Sequence, residues 1–245
     1  MPMPNIQFKS LPPIIPGLMN KAELIDNMND SVRSVAAALA GEIALPQIIT
    51  IKFGKSKKNL AKAVPGEIQI LPDSFEYLEG HTAKGASIFC GIVAHEFSHV
   101  SDFFTKNSAD KIMTSVVDKV IGEGKADHVA SFIGGTSYSD ELVRTLSNTE
   151  RETAYNDLLL SERSTYAVKR WTEKRLRIGS KTPLSMENGI YATGFALIED
   201  TMKWTGAGSI FDVHEKHHNF FMDALRDNID QEAVVSVLDM TKGNG

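Results

Sequence analysis

The sequence predicts a predominantly helical α+β fold, with a small N-terminal sheet packed on a central helix and a helical lobe after it. Short β-type runs occur only before residue 72, whereas helical apolar periodicity is nearly continuous from residue 86 onward. A helix that is apolar on several sides lies where the two regions join, as expected for the centre of a core. A chain of 245 residues is long enough to bury such a core.

The N-terminal elements follow from turn residues and apolar spacing. Residues 1–18 are proline-rich and predict an extended segment. Residues 20–41 carry apolar side chains at helical spacing after Asn20, a good helix N-cap. Residues 47–53 and 67–71 are rich in β-branched side chains, and a Pro-Gly turn precedes the second run, so we expect two strands there.

Helices account for the rest of the chain. We expect them at residues 86–104, 109–133, 140–160, 163–177, 184–204, 210–225 and 231–238, because glycine and asparagine separate the periodic segments. The predicted organisation is one domain over residues 19–240, with an N-terminal lobe to about residue 106. Residues 241–245 form a tail that we expect to be disordered.

Composition limits the partners and the compartment. A net charge of -5 argues against nucleic acid or an anionic membrane as the main partner. The longest uncharged runs are about ten residues, too short for a membrane span. No signal-peptide pattern is visible, so we expect a cytosolic protein, although specialised secretion into a host cytosol would leave no trace here. We also expect a monomer. Cys90, the single cysteine, excludes an internal disulfide, and its apolar neighbours favour a small buried side chain over a reactive thiol.

The motif His95-Glu96-Phe97-Ser98-His99 carries the chemistry. Two histidines four residues apart project from one helix face, where both imidazoles can bind one zinc ion. Glu96 is offset from both ligands, so it is placed to act as a general base on a water that the metal activates. Two hydrogen-bonded core histidines in a chance pattern are the structural alternative.

Zinc needs a third protein ligand, and Glu123 is the best candidate. The extended motif with a third histidine fails, because Asp102 and Thr105 occupy its glycine and histidine positions. Glu123 lies on the next predicted helix, and Asp127 one turn later could hydrogen-bond a ligating histidine. A helix that began at residue 109 would place Glu123 far along its axis, so the sequence requires a bend, for which Gly122 is a candidate.

Glycine residues lie on both sides of Glu123. Gly122 and Gly124 are poor helix-interior residues, and a close approach of the motif helix would explain them. Taken alone, Glu123 and Asp127 would be interpreted as solvent-facing side chains of an exposed helix.

On these residues the chain resembles the gluzincin metallopeptidases, and most closely their compact members that are predicted zinc proteases. The resemblance rests on the motif and the later acidic pair: His95, Glu96, His99, Glu123 and Asp127. It implies a zincin-like fold and one Zn²⁺ ion held by two histidines and a glutamate. It also implies a strand edge above the motif helix, to which we assign residues 67–71, where an extended peptide substrate would lie.

The resemblance extends to two finer expectations. The segment at 188–194 is similar to one that supplies a tyrosine to stabilise an oxyanion, which implies that role for Tyr191. A packing tyrosine is the alternative. The motif region is also similar to that of a bacterial effector protease that cleaves host actin, which implies actin as a substrate.

Other functions and residues stay open at this point. His214, His217 and His218 are rivals for the oxyanion role or for a minor second metal site, although their pattern favours a solvated helix face. A zincin-shaped binding module without proteolysis would explain the ligands but not an intact Glu96. A metal-dependent hydrolase of non-peptide amides would use the same residues.

Overall fold

The computed structural model describes residues 3–9, 21–54, 60–79, 82–105, 115–162 and 186–229. Within these ranges most residues are helical, and a four-stranded sheet lies near the N-terminus. The predicted α+β class, predominantly helical with a small N-terminal sheet, is confirmed. The helices predicted at 163–177 and 231–238, and the tail, lie outside the described residues.

The sheet contains two strands that the sequence did not predict. Its members are β1 (Asn5–Lys9), β2 (Ile48–Phe53), β3 (Ala61–Val64) and β4 (Glu67–Ile70), in the order β1-β2-β4-β3. β2 is parallel to both β1 and β4, whereas β3 is antiparallel to β4. The prediction that residues 67–71 form the sheet edge is therefore wrong. β4 has a neighbour on both sides, and among the strands that the structure describes β3 is the edge strand on that side.

Turn chemistry and burial explain the β3–β4 hairpin. Gly66 has φ +71°, which glycine adopts at no steric cost, and Pro65 precedes it, as in a type II turn. Alternate residues of β2 and β4 are fully buried and form the inner face of the sheet. These residues are Ile49, Ile51, Ile68 and Ile70.

Two helical segments lead to the central helix. α1 (Lys21–Leu39) buries a stripe at helical spacing, including Leu24, Met28 and Val32, as predicted. A 3₁₀ turn (Pro72–Phe75) and a short helix, α2 (Glu76–Glu79), follow β4.

α3 (Ala83–Thr105) is the helix on which the sheet, α1 and α2 pack. Thr82 caps it, because its Oγ1 accepts a hydrogen bond from the N–H of Gly85 at 3.0 Å. Every residue from Gly91 to Asp102 is buried. The motif therefore lies on a helix that is enclosed on all sides, as its sequence predicted.

α4 (Val116–Leu142) begins later than the predicted start at residue 109 and continues past the predicted end at 133. Ser115 caps it through a hydrogen bond from the N–H of Asp118 to Oγ at 3.0 Å. Because α4 starts at Val116, Glu123 lies only about 10 Å along its axis. The bend expected at Gly122 lies instead at Gly135, where φ is 59° and ψ is -156°.

Two of the later predicted helices are each divided into two shorter elements. The helix expected at 140–160 is two elements, since α4 ends at Leu142 and α5 covers Asn148–Glu162. Ser147 starts α5 with a capping box in which its N–H donates to Glu150 at 2.9 Å. α6 (Met186–Thr205) is close to prediction, whereas residues 210–225 divide into α7 (Phe211–His214) and α8 at 218–229.

The contacts divide the chain into two compact units. The first, Met1–Ile112 with Lys125–Arg144, contains the sheet, α1 to α3 and most of α4. The second, Met113–Gly124 with Thr145–Gly245, contains the first turns of α4 and α5 to α8. In the second unit Arg151 forms ion pairs with Glu199 at 2.5 Å and Asp200 at 2.7 Å, and these connect α5 to α6. None of the helices in the described part of the chain has the length and apolarity that crossing a membrane requires.

Candidate metal centre

His95 and His99 lie one turn apart on α3 and face each other. Their Nε2 atoms are 3.0 Å apart, and their rings meet edge to face with centroids 4.7 Å apart. Two nitrogens bound to one tetrahedral zinc ion at ordinary distances lie about 3.3 Å apart. The helix thus presents the imidazole pair at nearly the separation that a shared metal requires. Both residues are only 8% exposed.

Glu123 on α4 completes a group of three ligand side chains. His95, His99 and Glu123 each offer one ligand atom, and these atoms all lie within 4.8 Å of one another. All three residues are buried, and no other such group of three occurs among the described residues. Two imidazoles and a carboxylate with a fourth position left open are the donor set of many catalytic zinc sites. The residues present therefore fit the metal that the motif predicted.

Asp127 holds the far side of His95. Its Oδ1 lies 2.9 Å from Nδ1 of His95, and both side chains are buried. A carboxylate at this position accepts the Nδ1–H, which leaves the lone pair on Nε2, the atom that faces His99. This is the contact that the sequence proposed for Asp127. Glu96, also buried at 7% exposure, occupies the next position on α3.

Tyr138 is a contact of this group that the sequence analysis missed. Its hydroxyl donates to the same Oδ1 of Asp127, at 2.8 Å. The sequence contained one signal, the pair Gly134-Gly135, because adjacent glycines in a helical segment permit a break. Nothing in the spacing indicated which side chain the break would redirect.

The glycine beside Glu123 has a different neighbour from the one expected. A Cβ at Gly124 would lie 2.2 Å from the carbonyl oxygen of Gly194 on α6, so these two backbones are in contact. For Gly124, the expected close approach of the motif helix is therefore wrong: α6 fills that space. Tyr191 lies one turn before Gly194 on α6 and is partly exposed.

A buried ion pair joins α3 to α4 close to these ligands in sequence. Nζ of Lys125 lies 2.8 Å from Oδ1 of Asp102, and the two side chains are only 4% and 6% exposed. Isolated charges would be costly in such surroundings, so each compensates the other. From the sequence, Asp102 was identified only as a departure from the longer zinc motif.

We expect Lys125→Met to lower the free energy of unfolding by about 3–5 kcal/mol, because it removes the ammonium group that pairs with the buried carboxylate of Asp102. Urea denaturation of the metal-free protein measures this change. Lys84→Met is the matched control, since Lys84 pairs with Glu141 between the same two helices at 3.2 Å in an exposed setting. That variant should lose no more than about 1 kcal/mol. Equal losses in the two variants would contradict the expectation.

The three late histidines have different environments. His214 is buried at 1% exposure, so the solvated face predicted for it is wrong. His217 is exposed and packs against the ring of His218, whose Nδ1 lies 3.0 Å from Asp118. None of them belongs to a group of three ligands among the described residues.

Cys90 lies on α3 outside the candidate ligand group and is half-buried, so the prediction of a buried side chain is wrong. Burial raises the pKa of its thiol, and a hydrogen bond with Ser31 offsets part of that rise. A raised pKa reduces the thiolate fraction at neutral pH, which agrees with a structural side chain and not a nucleophile.

A family model described as "Predicted Zn-dependent protease (DUF2268)" matches residues 75–216. The matched region contains the three candidate ligands together with Asp127, Tyr138 and Tyr191. No curated protein and no solved structure matches the chain significantly.

Proposed function

The chain belongs to the DUF2268 family of predicted Zn-dependent proteases, and from that premise we propose that it is a zinc-dependent endopeptidase acting on a protein substrate. The observation that carries the proposal is the buried group of His95, His99 and Glu123, whose ligand atoms lie within 4.8 Å of one another. Two neutral imidazoles and one carboxylate would hold one Zn²⁺ ion. The bound ion would supply Lewis-acid polarisation of the substrate carbonyl and of water.

Glu96 is the proposed general base. Its position next to a ligand, on the same buried helix, suits a carboxylate that serves the reaction without holding the ion. It takes a proton from the attacking water and later gives a proton to the leaving amine. A binding module would have no need of an acid–base group there, and this favours the enzyme.

Asp127 and Tyr191 are proposed for supporting roles. Asp127 holds the Nδ1–H of His95 at 2.9 Å and so fixes the tautomer and the ring orientation of that ligand. Tyr191 is proposed to donate a hydrogen bond to the oxyanion that forms when the carbonyl is attacked. Support comes from the crossing of Gly124 and Gly194, which brings α6 against α4 one residue from Glu123.

The substrate is proposed to bind as an added strand on β3. This strand is at one end of the strand order and packs on α3, the helix that carries the motif. An extended peptide along β3 would form backbone hydrogen bonds whatever its own sequence. Pockets for its side chains must therefore supply specificity. The chain resembles a bacterial effector that cleaves actin, so actin in a host cytosol is the first substrate to test.

Labelling of new protein N-termini in a eukaryotic lysate tests this function. Lysate treated with the wild type should gain termini that are absent after treatment with Glu96→Gln, and an actin fragment among them would identify the proposed substrate. Zinc-loaded protein that generates no new termini would favour the binding module. Cleavage that is identical in both samples would remove the assignment of Glu96.

A further inference from the structure

Tyr138 and His95 contact the same oxygen of the Asp127 carboxylate. Oδ1 of Asp127 receives two hydrogen bonds, one from the Nδ1–H of His95 at 2.9 Å and one from the Tyr138 hydroxyl at 2.8 Å. All three side chains are buried. The carboxylate therefore has two side-chain donors, and only one of them, His95, is a proposed metal ligand.

The shape of α4 makes this contact possible. In a straight helix residues 127 and 138 share a face but lie about 16 Å apart along the axis, which is too far for one tyrosine to span. The backbone break at Gly135, with φ 59° and ψ -156°, turns the last residues of α4 out of line. That conformation is almost confined to glycine. The break therefore accounts for how Tyr138 reaches Asp127.

Two further glycines make room for the Tyr138 ring. A Cβ at Gly91 of α3 would lie 2.4 Å from Cδ2 of the ring, and one at Gly134 would lie 2.7 Å from the Tyr138 Cβ. Tyr138 also belongs to a buried apolar cluster that contains Ile88 and Ile92 of α3. Ring and hydroxyl are thus fixed by independent contacts, the ring by packing and the hydroxyl by Asp127.

We propose that Tyr138 is a positioning residue, which holds the Asp127 carboxylate on His95 and thereby sets the direction of the Nε2 lone pair. The part that concerns a metal rests on the proposed zinc function, whereas the hydrogen-bond chain does not. Without the hydroxyl, Asp127 keeps one donor and gains rotational freedom, and His95 loses orientation with it. Partners of this kind affect metal affinity by about 10- to 100-fold.

The test compares Tyr138→Phe with Tyr155→Phe, each of which keeps the ring and removes one buried hydroxyl. Tyr155 is a matched control because it is equally buried and donates to Asp200 at 2.6 Å, within the α5–α6 ion-pair network of the second unit. Competition with a chromophoric chelator gives the zinc affinity. ¹⁵N NMR of the metal-free protein follows the Nδ1–H of His95, and thermal unfolding shows that each variant folds.

Tyr138→Phe should weaken zinc binding about tenfold or more and accelerate exchange of the His95 Nδ1–H with water. Tyr155→Phe should change neither the zinc affinity nor the exchange of the His95 Nδ1–H, even if it lowers the melting temperature as much as Tyr138→Phe does. Unchanged zinc affinity and an unchanged Nδ1–H signal in Tyr138→Phe would overturn the proposal, and so would equal losses in both variants. If the wild type bound no zinc but Tyr138→Phe still changed the His95 Nδ1–H signal, the positioning of His95 would be supported and the zinc function refuted.

Discussion

Glu96→Gln should reduce the rate of peptide hydrolysis about a thousandfold, while the zinc content of the protein stays the same. Glutamine has nearly the size of glutamate, so the buried position next to His95 is filled as before. It does not accept a proton from water, and the attack on the carbonyl loses its base. The proposed zinc ligands are other side chains, so affinity for the ion should be nearly unaffected.

The measurement uses any substrate that N-terminal labelling identifies, with steady-state rates and bound zinc determined on the same preparations. Glu152→Gln, an exposed position on α5, is the control for the loss of one negative charge. It should retain wild-type turnover. If Glu96→Gln also turned over at the wild-type rate, the base would have to be sought elsewhere.

Glu123→Ala should weaken zinc binding by at least about a hundredfold, since removing partners outside the ligand set already costs 10- to 100-fold. The remaining ligands would be two neutral imidazoles, so the ion would lose the only negative charge in the proposed set. The substitution would also leave a cavity where the buried carboxylate was. Chelator competition measures the affinity, and unfolding monitors whether the metal-free fold survives.

Glu141→Ala provides the matched control for that variant. Glu141 is on the same helix, α4, but pairs with Lys84 at an exposed position. Its loss should leave zinc affinity unchanged. Full zinc occupancy in Glu123→Ala would exclude that carboxylate as a ligand and redirect the search for the third one.

Elements with a strong local pattern were predictable from the sequence, whereas a strand with weak local preference was not. α1 was predicted within two residues of each end, because its apolar spacing and its flanking residues agree. β3 consists of Ala61, Lys62, Ala63 and Val64, mostly residues with weak strand preference. It forms because the Pro65-Gly66 turn folds it back on β4, a tertiary effect that local propensity does not contain.

The site divides in the same way. His95, Glu96 and His99 could be chosen from spacing alone, since one helical turn determines which side chains share a face. Glu123 and Asp127 required the assumption that a second helix lies alongside, and the structure brings both next to the histidines. Tyr138 could not be found in this way, because its contact depends on a glycine break whose angles a sequence does not specify.

The contact of Gly194 with α4 changes how loss-of-function variants in this protein should be interpreted. A Cβ at Gly194 would lie 2.1 Å from the carbonyl oxygen of Val120, which is the helical acceptor for the N–H of Gly124. Any larger residue at 194 would therefore disturb the backbone that carries Glu123. An inactive Gly194 variant, three positions from Tyr191, would report damaged architecture and should not be counted as evidence for catalysis by its neighbour.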